Sequence, residues 1–154
     1  MLSSTTICPT VLIDGIPVDN VTAAQVAAGV REALLRGQGG HIVTPNMDHL
    51  YQARREAGCR DLLLSADFCV PDGAPLLWIS RLRRTPLRER IAGADLVWAL
   101  AGAAASAGQP LVLIGGTSES VSDASERFRQ AIPGLLVIAH SPPFRVRVGR
   151  GPDG

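Results

Sequence analysis

The sequence predicts an α/β domain in which a mostly parallel sheet carries helices on both faces, preceded by a small N-terminal β-hairpin. Two observations predict it. Short apolar runs alternate with stretches of helical spacing along nearly the whole chain, and Gly or Pro punctuates the junctions. The core must be aliphatic, because only 4% of the residues are aromatic while 46% are hydrophobic.

The elements follow in order. Val11-Leu12-Ile13 and Ile16-Pro17-Val18 flank Asp14-Gly15, a dipeptide suited to the positive φ angles of a tight hairpin turn. Thr22 and Gln25 stand at capping-box spacing before a helix over residues 23–35, which the glycines at 37, 39 and 40 stop. A strand over 41–44 leads through Pro45-Asn46 into a helix over 47–57, ended by Gly58, with another helical turn or two over 60–65. Strand 68–70 breaks at Pro71-Asp72-Gly73, and a helix follows over 74–82. A basic connector and Pro86 lead to an alanine-rich helix over 95–107. Strand 111–114, the turn Gly115-Gly116-Thr117, helix 119–131 and strand 135–139 complete the pattern. Such alternation is Rossmann-like. The domain is assigned to residues 1–145, and 146–154 read as an irregular arginine- and glycine-rich tail.

Composition narrows the function classes. With 19% charged residues this is not a disordered chain. A net charge of +1 gives no general field for nucleic acid, and no nucleic-acid partner is expected. All 15 basic residues are arginine, so every cation can fork onto phosphate or carboxylate. Cys8, Cys59 and Cys69 have no metal-type spacing and read as reduced, mostly buried side chains of a cytoplasmic protein. The N-terminus lacks the pattern of a signal peptide, and the run over 96–107 is too short to span a membrane. A peripheral contact with the inner face of the cell membrane and homo-oligomer formation stay open.

In a parallel sheet, ligands bind beyond the carboxyl ends of the strands. Thr44-Pro45-Asn46, Pro71-Asp72-Gly73 and Gly115-Gly116-Thr117 all occupy such ends, and parallel strands would bring them to one edge. Asp72 can serve there as a general base for an acceptor hydroxyl, while a Pro-Asp-Gly turn equally suits a helix cap. Asn46 and Thr117 are natural caps for the helices they precede. Gly115-Gly116 can admit phosphate to backbone amides or simply make a turn. Arg81, Arg83, Arg84, Arg88 and Arg90 are opposed only by Glu89; such a run is either a solvated face or, after Asp72, a border of the cleft that grips a diphosphate. His41, His49 and His140 share no ligand spacing, and no Asp-x-Asp occurs. Neither a metal nor a cofactor is expected. A dinucleotide-dependent oxidoreductase fits poorly, since no G-x-G-x-x-G follows any strand.

Five stretches taken in order resemble the WecG/TagA/CpsF family of glycosyltransferases. They are Val43-Thr44-Pro45-Asn46, Ser65 through Gly73 (SADFCVPDG), Pro86 through Leu96 (PLRERIAGADL), Leu111 through Gly116 (LVLIGG) and Pro133-Gly134-Leu135. The resemblance covers roughly residues 11–145. It implies an inverting, metal-independent transfer of N-acetylmannosamine or a related sugar from a UDP-sugar to a polyprenyl-diphosphate-linked sugar, in teichoic acid, common-antigen or exopolysaccharide synthesis. Position by position it implies Asp72 as catalytic base, Thr44 and Asn46 lining the pocket, and Arg90 facing the diphosphate. Asp95 lies in the same block with no fixed role. The chain departs from the family at Ala74-Pro75, where many relatives have Ile-Gly. Relatives also continue for several dozen residues beyond the position of Arg145. The resemblance therefore implies a domain incomplete at its C-terminus, and a frameshift near Arg145 would explain the tail. That gives a second reading of function: a non-catalytic remnant with at most weak nucleotide binding.

Overall fold

The computed structural model describes residues 9–143, so the tail expected over 146–154, together with Cys8 and Arg145, lies outside the described residues. The hairpin pairs β1 (Thr10–Ile13) with β2 (Ile16–Asp19) antiparallel, Val11 opposite Val18 and Ile13 opposite Ile16. Asp14 and Gly15 take φ of 54° and 75°, as the two-residue turn requires. The alternation puts Val11, Ile13, Ile16 and Val18 on one buried face.

Helix α1 (Ala23–Leu35) starts at Thr22, whose side chain accepts from the Gln25 N–H while the Gln25 side chain accepts from the Thr22 N–H. Strands β3 (Ile42–Val43) and β4 (Phe68–Cys69) pair in parallel. Between them lie α2 (Met47–Ala53) and α3 (Ala57–Leu64). Here the sequence reading is corrected at its boundaries. The expected helix over 47–57 stops at Ala53, and Gly58, expected to end it, sits inside the first turn of α3. Gly58 has open space around it, and the packing of Leu63 against the hairpin core outweighs the small helix penalty of one glycine.

Helix α4 (Ala74–Leu82) carries Pro75 in its first turn, where the missing N–H costs nothing. Helix α5 (Gly93–Ser106) begins two residues earlier than its periodicity suggests. Strands β5 (Leu111–Ile114) and β6 (Val137–His140) form a second parallel pair around α6 (Ser118–Ala131), with Leu111 opposite Val137 and Ile114 opposite His140. The expected parallel pairing and hairpin are thus present, as three two-stranded ladders.

Three apolar clusters support these ladders. The hairpin packs with Leu50, Leu63 and Leu76 of α2, α3 and α4. Val21, Val26, Val70, Ile91 and Leu96 form the middle cluster. Ala101, Ala104, Phe128, Leu135 and Val137 form the third, under β5 and β6. Cys69 is buried and Cys59 half-buried, both as free thiols; burial first, and then the nearby Asp19 charge, pushes the Cys69 thiol up to about 12. Among the described residues no helix is long and apolar enough to cross a membrane.

Candidate active site

The parallel pairing of β3 and β4 brings Thr44-Pro45-Asn46 and Pro71-Asp72-Gly73 to the same end of the ladder. Backbone bonds lock them together: the Val70 N–H donates to Val43 O (2.9 Å) and the Asp72 N–H to Pro45 O (3.0 Å). The Ile91 N–H donates to Pro71 O at 2.8 Å, which draws the connector carrying Arg90 onto the same strand end.

Asp72 does not cap the helix that follows it. The N-cap of α4 is Gly73, at φ 127°, with no side-chain cap at all. The Asp72 carboxylate instead turns toward the start of α5, where Oδ2 accepts a long 3.4 Å bond from the Gly93 N–H. It is half-buried, between the N-termini of two helices whose dipoles favour negative charge there. Thr44 closes the other side, since a Cβ added at Gly93 would lie 3.2 Å from Thr44 Oγ1. Gly93 is the site residue that sequence reasoning missed. Its only signal was a glycine between two alanines at a helix start, where nothing local demands one.

Arg90 and Asp95 stand together nearby, with Nη2 and Oδ2 3.8 Å apart and both side chains largely exposed. The arginines of the run have different neighbours. Arg83 points to the hairpin and donates to Leu12 O at 3.1 Å, so of these arginines Arg90 is the one tethered beside Asp72. Asn46 is committed to its helix: Oδ1 accepts from the Asp48 and His49 N–H groups at 3.0 and 3.1 Å, while His49 Nδ1 accepts from the Asn46 N–H. Thr117 likewise caps α6 by accepting from the Ser120 N–H.

Gly115 and Gly116 end β5, in the other parallel pair. The Gly115 N–H donates to His140 O, and Gly116 O accepts from Ser141 Oγ. A cavity of about 290 Å³ adjoins this turn, lined by Ser118, Ser122, Arg129 and His140 among others; it does not reach Asp72. The two halves of the predicted site therefore have different surroundings, a carboxylate–arginine corner at β3–β4 and a polar hollow at β5–β6.

Two side chains hold the first corner in place. Asp19 Oδ2 accepts from the Cys69 N–H at 2.7 Å, tying the hairpin to β4. Burial raises the Asp19 carboxyl above its ordinary value, and the Cys69 hydrogen bond opposes that shift. Asn20 clamps the connector by donating to Pro86 O (3.2 Å) and accepting from the Arg88 N–H (2.8 Å).

Fold and site define an α/β protein with a strand-end corner built around one carboxylate, the place where parallel sheets bind ligands. The chain belongs to the glycosyl transferase WecG/TagA/CpsF family, whose profile matches residues 11–150. It is 30% identical over 106 residues to an N-acetylglucosaminyldiphosphoundecaprenol N-acetyl-beta-D-mannosaminyltransferase of Bacillus spizizenii, covering 69% of this chain and 41% of that protein. A protein of the same name from Bacillus subtilis is 27% identical over 103 residues, covering 67% of this chain and 40% of the relative. The chain thus spans about two fifths of the length of the curated relatives it matches.

Proposed function

We propose that this chain carries the catalytic corner of an inverting glycosyltransferase. The enzyme would move N-acetylmannosamine or a related sugar from a UDP-sugar to the hydroxyl of a polyprenyl-diphosphate-linked sugar in cell-wall polysaccharide synthesis. The observation that carries the reading is Asp72 itself. Its carboxylate stands at a parallel strand end without being consumed as the cap of α4; it accepts from the Gly93 N–H, Thr44 lies against Gly93, and the backbone next to Arg90 is tied to Pro71. The names of the two relatives support the sugar and the lipid-linked acceptor.

In this reading Asp72 accepts the proton of the acceptor hydroxyl as the hydroxyl oxygen bonds to the anomeric carbon. The bond from that carbon to the UDP oxygen breaks on the opposite face, and UDP leaves with the electron pair. Arg90 meets the diphosphate charge. Asp95 holds Arg90 in position, and Thr44 and Asn46 line the pocket. The sequence lacks Asp-x-Asp, and the reading assigns no role to a metal.

The test is sugar transfer from UDP-N-acetylmannosamine to a short-chain lipid-diphosphate-GlcNAc analogue, with chelator present, by the chain and its Asp72→Asn variant. Transfer that drops by about 10²–10⁴-fold in a folded variant is the expected result. Transfer surviving in Asp72→Asn would refute the base assignment. A folded chain that binds UDP without any transfer would favour the second reading, a nucleotide-binding module without turnover.

A further inference from the structure

Helix α4 buries Leu76 and Ser80 on one side and leaves an unusual opposite face. Trp78 is 63% and Leu82 86% exposed, and their spacing of four residues stacks them on one stripe. Large apolar side chains presented this fully have no core function. Around the stripe the charge is one-sided. Five arginines fall between positions 81 and 90 against the single Glu89, and Arg81, Arg83, Arg84 and Arg88 are all exposed. Arg83 reaches the carbonyl of Leu12, whose own side chain is 62% exposed at the hairpin rim. The nearest hairpin carboxylate, Asp14, is already paired with Arg54.

We propose that the α4 face is a docking surface for an anionic lipid bilayer, with Trp78 and Leu82 entering the interface and the arginines meeting lipid phosphates. The combination fits that partner on two independent grounds. An indole beside an aliphatic side chain suits the boundary between headgroups and acyl chains. Arg81, Arg83 and Arg84 at the end of α4, with no carboxylate at ion-pair distance among the described residues, complement a negatively charged leaflet and not a neutral one. Position gives the surface a use, and here the inference rests on the proposed lipid-linked acceptor. α4 begins immediately after Asp72-Gly73, so Trp78 and Leu82 sit about 6–12 Å along the helix from its start. A helix lying on the bilayer through this face holds Asp72 at the depth of a lipid diphosphate, with the polyprenyl chain still in the membrane.

The experiment is co-sedimentation of the full chain with vesicles of phosphatidylcholine alone or of phosphatidylcholine with phosphatidylglycerol, read alongside tryptophan emission. The expected result is binding to the phosphatidylglycerol vesicles only, weakened several-fold by high salt, with a blue shift of emission. Trp78→Ser/Leu82→Ser should lose about tenfold or more in partitioning and all of the shift. Trp98, stacked on Phe128 with ring centroids 4.1 Å apart, supplies the unchanged background in that variant. Trp78→Phe with Leu82 intact should retain most of the binding. Equal binding by the double variant, or none by the parent chain, overturns the proposal. So does a parent dimer in sedimentation velocity that the double variant dissolves without any vesicle binding, because the face would then belong to a second copy. Transfer to a water-soluble acceptor without vesicles should be the same in parent and double variant. Its absence from both counts against the enzymatic reading and leaves the vesicle result standing.

Discussion

Ser80→Ala isolates one buried bond that holds the arginine connector. Ser80 is fully buried; its Oγ donates to Leu77 O at 2.7 Å and accepts from the Leu87 N–H at 3.0 Å. Alanine keeps the helix and the shape of the site but leaves the Leu87 N–H buried without a partner. Such an orphan costs about 1–3 kcal/mol. The better helix propensity of alanine returns about 0.5 kcal/mol. The net loss is therefore about 0.5–2.5 kcal/mol, or roughly 1–10 °C in Tm for a chain of this size. Urea unfolding followed by circular dichroism reads it directly, with the midpoint lowered and the slope unchanged. Because Leu87 also anchors the connector that ends at Arg90, the same variant should raise the donor KM more than it lowers kcat. A midpoint within about 0.3 kcal/mol of the parent would refute the reasoning, since an unsatisfied buried N–H cannot be that cheap.

Three further predictions follow from single side chains. Burial favours neutral Asp19, so its contribution is full below its unfolded value near 3.8 and is lost as pH rises through its higher folded value. Asp14, held low by the Arg54 hydrogen bond, acts in the opposite sense and loses its contribution as pH falls below 3.8. Asp19→Asn keeps an acceptor for the Cys69 N–H, so its stability relative to the parent should climb as pH rises from 3.8 toward neutrality, measured by urea midpoints across pH. Gly116→Ala forces a side chain onto φ 71° with its Cβ 2.7 Å from Ser120 Oγ. It should cost about 1–2 kcal/mol in thermal unfolding, and adding Ser120→Ala should restore only the steric share. Thr22→Ala removes the capping box of α1 and should cost about 1 kcal/mol by the same measurement.

Local chemistry made much of this molecule readable. The Asp14-Gly15 turn, the Thr22–Gln25 capping box and the α4 boundaries are each dictated within four or five residues, and all appear where the sequence places them. The α2–α3 break was hidden because it depends on which leucines the hairpin buries, a tertiary choice that periodicity does not encode. The site divides in the same way. Strand-end position singled out Asp72, and the parallel β3–β4 register brings Thr44 beside it. The carboxylate's turn toward α5, and the need for Gly93, arise from chain segments about twenty and fifty residues apart meeting in space. The arginine run looked like one unit because its members are adjacent in sequence, yet a helix end and a connector send Arg83 and Arg90 to different neighbours.

The contact between α1 and α5 has a consequence for cooperativity. Val26 and Val30 of α1 and Leu96 and Leu100 of α5 belong to the middle cluster. Leu34 from α1, and Val97 and Ala101 from α5, belong to the cluster under β5 and β6. Among the described residues no backbone ladder joins β3–β4 to β5–β6, so this helix pair couples the unfolding of the middle of the molecule to its β5–β6 end. In native-state hydrogen exchange its amides should open last. The β5–β6 unit, with Val112, Ile114 and Ile138 facing outward, should open earlier as a separate block. The protein would then melt from the β5–β6 hollow inward, with the carboxylate corner outlasting it.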